Sequence, residues 1–221
     1  MAKARTQFVC TECGGSSPKW VGQCPDCGRW NTLEESLDAP RTRAVGWAGE
    51  APRLVSEVEG ELEERWPTGI AELDRVLGGG MVPGSVTLIG GDPGIGKSTL
   101  LLQAAVRLAG SLPALYVTGE ESLRQVGMRA RRIGMPETAL KLLAETNIER
   151  ILAQADTVRP RVLVVDSIQT MHTDALQSAP GAVAQLRESS ARLVRYAKQG
   201  GPAVFLVGHV TKDGAIAGPR V

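Results

Sequence analysis

The stretch GGDPGIGKST, Gly90 to Thr99, most narrows what this chain can fold into. It follows the apolar run Ser85-Val86-Thr87-Leu88-Ile89 and precedes the helix-like Thr99-Leu100-Leu101-Leu102-Gln103-Ala104-Ala105. A glycine-rich turn in that setting, closed by Lys97-Ser98, predicts a strand, a loop whose backbone N–H groups turn inward, and a helix whose positive end adds to them. Polyphosphate is the ligand for such a cradle. Lys97 would reach the outer phosphates as a point charge, and the Ser98 hydroxyl is placed to ligate a Mg²⁺ ion that accompanies them. A glycine-rich turn can also merely join strand to helix, but Lys-Ser and the correct flanks argue against that here.

The rest of the chain supports an α/β core around this loop. Apolar runs at Val86–Ile89, Ala114–Thr118, Val162–Val165 and Ala203–Val207 alternate with helical patterns near Leu100–Ala109, Leu123–Ile133, Ile148–Thr157 and Val183–Lys198. Near-continuous Val/Leu strands between helices predict a mainly parallel sheet covered on both faces. At 221 residues the chain can bury one sizeable α/β core and a small appended module. A net charge of +1 leaves any nucleic-acid contact to a local patch. No apolar run is long enough to span a bilayer and the polar start has no secretory h-region, so a cytoplasmic protein is expected.

Cys10, Cys13, Cys24 and Cys27 spell C-x2-C-x10-C-x2-C. In a reducing compartment such paired knuckles read as a closed, structural four-cysteine Zn²⁺ site rather than as disulfides, with Gly14 and Gly28 suited to the knuckle turns. Lys19, Trp20, Arg29 and Trp30 form a basic and aromatic mix that either covers the small core or contacts single-stranded nucleic acid. The expected division is a zinc module over 1–32, a linker over 33–64 and the core over 65–221; RLVSEVEGELEE is a candidate short strand or helix near the linker's end.

Asp166 closes the apolar strand RVLVVD, where a carboxylate beside the phosphate loop can hold the Mg²⁺ shell. Glu120 and Glu121 end another strand; one of them orients an attacking water, unless they simply complement a helix N-terminus. His209 ends the strand AVFLVGH before a Gly-rich loop carrying Thr211 and Lys212, as a γ-phosphate sensor or as a satisfied structural histidine. Arg124, Arg129, Arg131 and Arg132 lie on one helical run, a solvated face or a plane for stacking adenine.

Taken together, the four-cysteine motif, TGIAELDRVLGGG, GGDPGIGKST, YVTGEES, VLVVDSIQT and GHVTKDGAIAGP resemble the bacterial RadA (Sms) family of RecA-like DNA repair ATPases over nearly the whole chain. The resemblance implies a RecA-like P-loop NTPase core beside the zinc ribbon. It further implies a homo-oligomer, a hexameric ring on single-stranded and branched DNA, that hydrolyses ATP and promotes branch migration together with RecA. By position, Gly91, Asp92, Pro93, Gly94, Ile95, Gly96, Lys97 and Ser98 with Thr99 match the Walker A loop. Asp166 matches the Walker B aspartate, Glu120 the catalytic glutamate and His209 the γ-phosphate sensor, while Arg129 falls near the adenine-facing position.

That family continues beyond GPRV with more sheet, a Lys-Asn-Arg-Phe-Gly motif and a Lon-protease-like domain, so a truncated chain that binds ATP but turns it over poorly is expected. Two alternatives share the approach to the loop or the ring architecture: a KaiC-like regulatory switch and a replicative-type helicase.

Overall fold

The computed structural model describes residues 5–11, 16–38, 54, 64–135 and 138–209. In chain order the elements are β1 (Arg5–Cys10), β2 (Ser16–Ser17), β3 (Leu33–Asp38), α1 (Ala71–Val76), β4 (Val86–Gly91), α2 (Lys97–Leu108), β5 (Ala114–Thr118), α3 (Leu123–Arg132), β6 (Lys141–Ala144), α4 (Ile148–Val158), β7 (Val162–Asp166), α5 (Val183–Lys198) and β8 (Ala203–His209). One turn of 3₁₀-helix, Ile168–Thr170, follows β7.

Five strands form an all-parallel sheet in the order β4-β8-β7-β5-β6. Its central strands β5 and β7 are buried at every position, as expected of parallel strands with helices on both faces. Successive side chains alternate between two apolar layers. Ala114, Tyr116, Val162, Val164 and Phe205 pack with Leu101, Leu102 and Ala105 of α2, while Leu115, Val117, Leu163, Val165 and Val204 pack with Ile148 and Ile151 of α4 and Leu193 of α5. The period of two in the strands thus assigns each residue to one layer.

Local chemistry sets the helix boundaries. Ser122 and Gln125 form a reciprocal capping box at the start of α3, and the Asn147 side chain accepts from Arg150 N–H at the start of α4. Ahead of β4, the Asp74 carboxylate accepts from Thr68 N–H, Thr68 Oγ1–H and Gly69 N–H, which ties the TGIAELD approach into one compact turn.

Near the N-terminus a second, three-stranded antiparallel sheet runs β2-β1-β3. β3 pairs with β1 from Cys10 opposite Leu33 to Arg5 opposite Asp38. This small sheet therefore extends past residue 32, where the sequence suggested that a linker begins. The candidate element in RLVSEVEGELEE falls almost wholly outside the described residues, as do Thr211 and Lys212.

The small sheet contacts the core through β3. Both carboxylate oxygens of Glu35 accept backbone N–H groups, from Gln177 at 3.1 Å and Ser178 at 2.9 Å, and Glu34 pairs with Arg187 of α5 at 3.0 Å. Arg187 is largely exposed, so that ion pair contributes little on its own. The Glu35 contacts are charge-assisted and meet two backbone donors at once. Glu35→Ala should therefore make the N-terminal module more susceptible to limited proteolysis while leaving the thermal midpoint of the α/β core nearly unchanged.

Candidate nucleotide and metal sites

The parallel register brings the carboxyl ends of β4, β8, β7 and β5 to one edge of the sheet, where ligands of open α/β sheets bind. Gly91 lies opposite His209, and Thr118 opposite Asp166. Between β4 and α2 the loop uses left-handed backbone at Gly94 (φ 83°) and Gly96 (φ 98°), which lets the chain turn directly into a helix starting at Lys97.

Lys97 is 7% exposed, and its ammonium lies inside the loop. Nζ donates to Gly91 O at 2.7 Å and to Asp92 O at 2.8 Å, and it lies 3.3 Å from His209 Nδ1. Because an ammonium has no lone pair, Nδ1 must accept that bond, which puts the neutral ring's proton on Nε2. Nε2–H then donates to Glu120 Oε1 at 3.2 Å, and the same oxygen accepts from Ser167 Oγ–H. Lys97, His209, Glu120 and Ser167 thus form one connected chain across strand ends far apart in sequence.

Asp166, 7% exposed, lies next to this chain. Its Oδ1 accepts from Ser98 Oγ–H at 3.1 Å and its Oδ2 from Tyr116 Oη–H at 2.5 Å. Burial, above all, and then the neighbouring Asp166 charge and hydrogen bond hold the Tyr116 phenol well above its ordinary pKa, so it remains a donor. The side-by-side oxygens of Ser98 and Asp166 are a hard-oxygen pair suited to a Mg²⁺ shell.

The two glutamates after β5 separate cleanly. Glu121 pairs with Arg129 of α3, whereas Glu120 points to His209 and Ser167. Neither lies within the first turn of α3, which contains no acidic residue. Gly119, between Thr118 and Glu120, has no room for a Cβ beside Thr170. Arg124, Arg131 and Arg132 are solvent-exposed, as a solvated helix face requires.

Tyr116 and Ser167 are the site groups that the sequence reading did not single out. Their spacing carries no motif; the available signal was one hydroxyl-bearing ring in an apolar strand and one serine after the strand-closing aspartate.

In the N-terminal module the ligand atoms of Cys10, Cys24 and Cys27 all lie within 4.8 Å of one another, with Cys10 Sγ 3.7 Å from Cys27 Sγ. Tetrahedral Zn–S bonds of about 2.3 Å imply S···S separations of about 3.8 Å, so these thiols fit a zinc ion. Cys13 lies outside the described residues. Gly28 (φ 70°) makes the second knuckle, where its N–H donates to Cys24 O at 2.9 Å. Trp20 and Trp30 are 55% and 68% exposed and flank Gly22, so they do not cover the small core. Among the described residues, no helix is long and apolar enough to cross a membrane.

This topology and loop define a P-loop nucleotide-binding α/β domain joined to a cysteine-ligated metal ribbon. Family models agree: residues 8–35 match a rubredoxin metal binding domain, and residues 52–215 match an AAA domain. Proteins named DNA repair protein RadA align over 100% of the chain, at 62% identity in Pseudomonas aeruginosa, 52% in Escherichia coli and 47% in Bacillus subtilis. The chain belongs to the RadA family. It spans about half the length of these relatives, with 50% of each covered.

Zinc should be bound at about one ion per chain, as read by elemental analysis. Cys24→Ser should lower that occupancy and open the ribbon to protease, while ATP binding by the α/β core is retained.

Proposed function

We propose that this chain is the zinc-ribbon and motor part of a cytoplasmic DNA repair ATPase that binds Mg·ATP and hydrolyses it in response to DNA. The observation that carries this reading is the connected set Lys97, His209, Glu120 and Ser167 beside Asp166 and Ser98, at the end of a parallel sheet. The RadA name of the relatives supports DNA repair as the setting.

In this reading the N–H groups of Gly94 to Thr99 and the Lys97 ammonium hold the phosphates of ATP, with Arg129 at the base. Ser98 and Asp166 would hold the Mg²⁺, which would supply charge neutralisation for the phosphates. Glu120 orients a water and accepts its proton as the water oxygen bonds to the γ-phosphorus and the bond to the ADP oxygen breaks. His209 touches both Lys97 and Glu120, so a γ-phosphate that draws Lys97 away breaks one of its two contacts. Its strand leads toward the residues after 209, and His209 thereby reports the phosphate state.

The partners of the full-length protein are proposed as single-stranded and branched DNA, RecA and further copies in a hexameric ring, with branch migration as the outcome. Exposed Trp20 and Trp30, with Lys19 and Arg29 beside them, support a base-stacking contact by the ribbon. This chain alone is proposed to turn ATP over slowly relative to a full-length relative.

The test is ATP turnover with and without single-stranded DNA, for this chain and a full-length relative. Stimulation by DNA supports the proposal; nucleotide binding with turnover indifferent to DNA in both would favour a switch. Lys97→Ala should lower turnover roughly 100-fold or more. Glu120→Gln should lower it about 100- to 10,000-fold with ATP binding retained. Replacing Trp20 and Trp30 together by Ala should weaken single-stranded DNA binding roughly 30-fold or more, read by fluorescence anisotropy, if each ring stacks on a base.

A further inference from the structure

Asp166 is held in the backbone and in the side chain by different means. Its peptide is fixed by pairing opposite Thr118 and by the Gly119 N–H, which donates to Asp166 O at 2.8 Å. None of that fixes the plane of the carboxylate, whose terminal torsion is broad, so its two equivalent oxygens sweep a range of positions unless an outside bond holds the plane. Ser98 is a poor choice for that anchor, because its hydroxyl is the group expected to turn toward a cation.

Tyr116 is the remaining anchor. It stands two positions before Thr118 on β5, on the same sheet face as Asp166, and is therefore a diagonal neighbour across the β5–β7 ladder. An aromatic side chain spans that diagonal, and here its hydroxyl reaches Oδ2 at 2.5 Å from a ring that is fully buried among Val164, Phe205 and Leu102. The ring alone would fill this space as phenylalanine; the hydroxyl's partner is Asp166.

We infer that Tyr116 is a positioning residue of the Mg²⁺ site: by holding one carboxylate oxygen of Asp166 it fixes the plane of the group, so that the other oxygen, beside Ser98, faces the cation. This rests on the Mg·ATP reading above. The hydroxyl lies in the core with Asp166 as its partner, so its effect passes through the orientation of that carboxylate. A carboxylate freed from Tyr116 would sample rotated positions and present an oxygen to the cation for only part of the time.

The test uses the zinc-loaded chain and a fluorescent ATP analogue whose equilibrium binding is followed as Mg²⁺ is added. With Tyr116→Phe, the half-saturating Mg²⁺ concentration should rise roughly tenfold, while binding of the analogue without Mg²⁺ stays as in the wild type. Asp166→Asn should also raise it, and the double variant should be no worse than Asp166→Asn alone, because Tyr116 acts only through the carboxylate that Asp166→Asn has already removed. A Mg²⁺ midpoint unchanged by Tyr116→Phe, or effects that simply add, would overturn the inference. Equal binding by the wild type with and without Mg²⁺ would instead overturn the Mg·ATP reading and the inference with it.

Should Tyr116→Phe fail to fold, 3-fluorotyrosine labelling gives a second readout, because the chain has only two tyrosines, Tyr116 and Tyr196. Adding Mg²⁺ to the nucleotide complex should shift the fluorine resonance of Tyr116, assigned by its survival in Tyr196→Phe. An unmoved resonance would overturn the inference.

Discussion

Burying an ammonium is costly unless acceptors replace its water, and Lys97 is almost fully removed from solvent. The loop solves this with its own carbonyls, Gly91 O and Asp92 O, and with the imidazole of His209. Those acceptors exist together only because β4 and β8 are hydrogen-bonded neighbours with Gly91 opposite His209. Had β8 been placed elsewhere in the sheet, the lysine would keep two acceptors and lose its link to Glu120. The strand order is thus part of the electrostatics of the site.

From that lysine outward the carboxylates divide according to their neighbours. Asp166 takes two hydroxyl donors, Glu120 an imidazole and a hydroxyl, and Glu121 a guanidinium. A carboxylate paired with a full positive charge is held more strongly than one that meets neutral donors, which can change partners more readily. This difference sets Glu120 apart from Glu121, a distinction the adjacent letters E-E do not contain.

Much of the core was legible because buried parallel strands are apolar at consecutive positions: VLVVD and AVFLVGH stand out in any window. β6 did not. Lys141–Ala144 is short, lies at the sheet edge and is only partly buried, so its letters KLLA carry neither a continuous run nor a long alternation. β3 was hidden for another reason: Leu33 is buried in the ribbon core, but the acids that follow it read as linker until Glu34 and Glu35 are seen to contact Arg187 and the 177–178 backbone. Convergence of Cys10, Cys24 and Cys27 was legible from spacing, since two knuckles have few ways to share an ion. Tyr116 was not, because its partner Asp166 is brought within reach only by the β5–β7 register.

The ribbon and the nucleotide edge also share a structural element. α5 receives the Glu34 contact at Arg187, and the same helix packs on β8 and on the 3₁₀ turn that follows Asp166 and Ser167. Gln169 in that turn donates to His209 O at 3.1 Å. The contacts of the ribbon and those of the nucleotide edge thus meet on one helix, but the Glu34–Arg187 pair is too exposed to tie them strongly by itself, and the firmer Glu35 contact lands on the 177–178 backbone ahead of that helix.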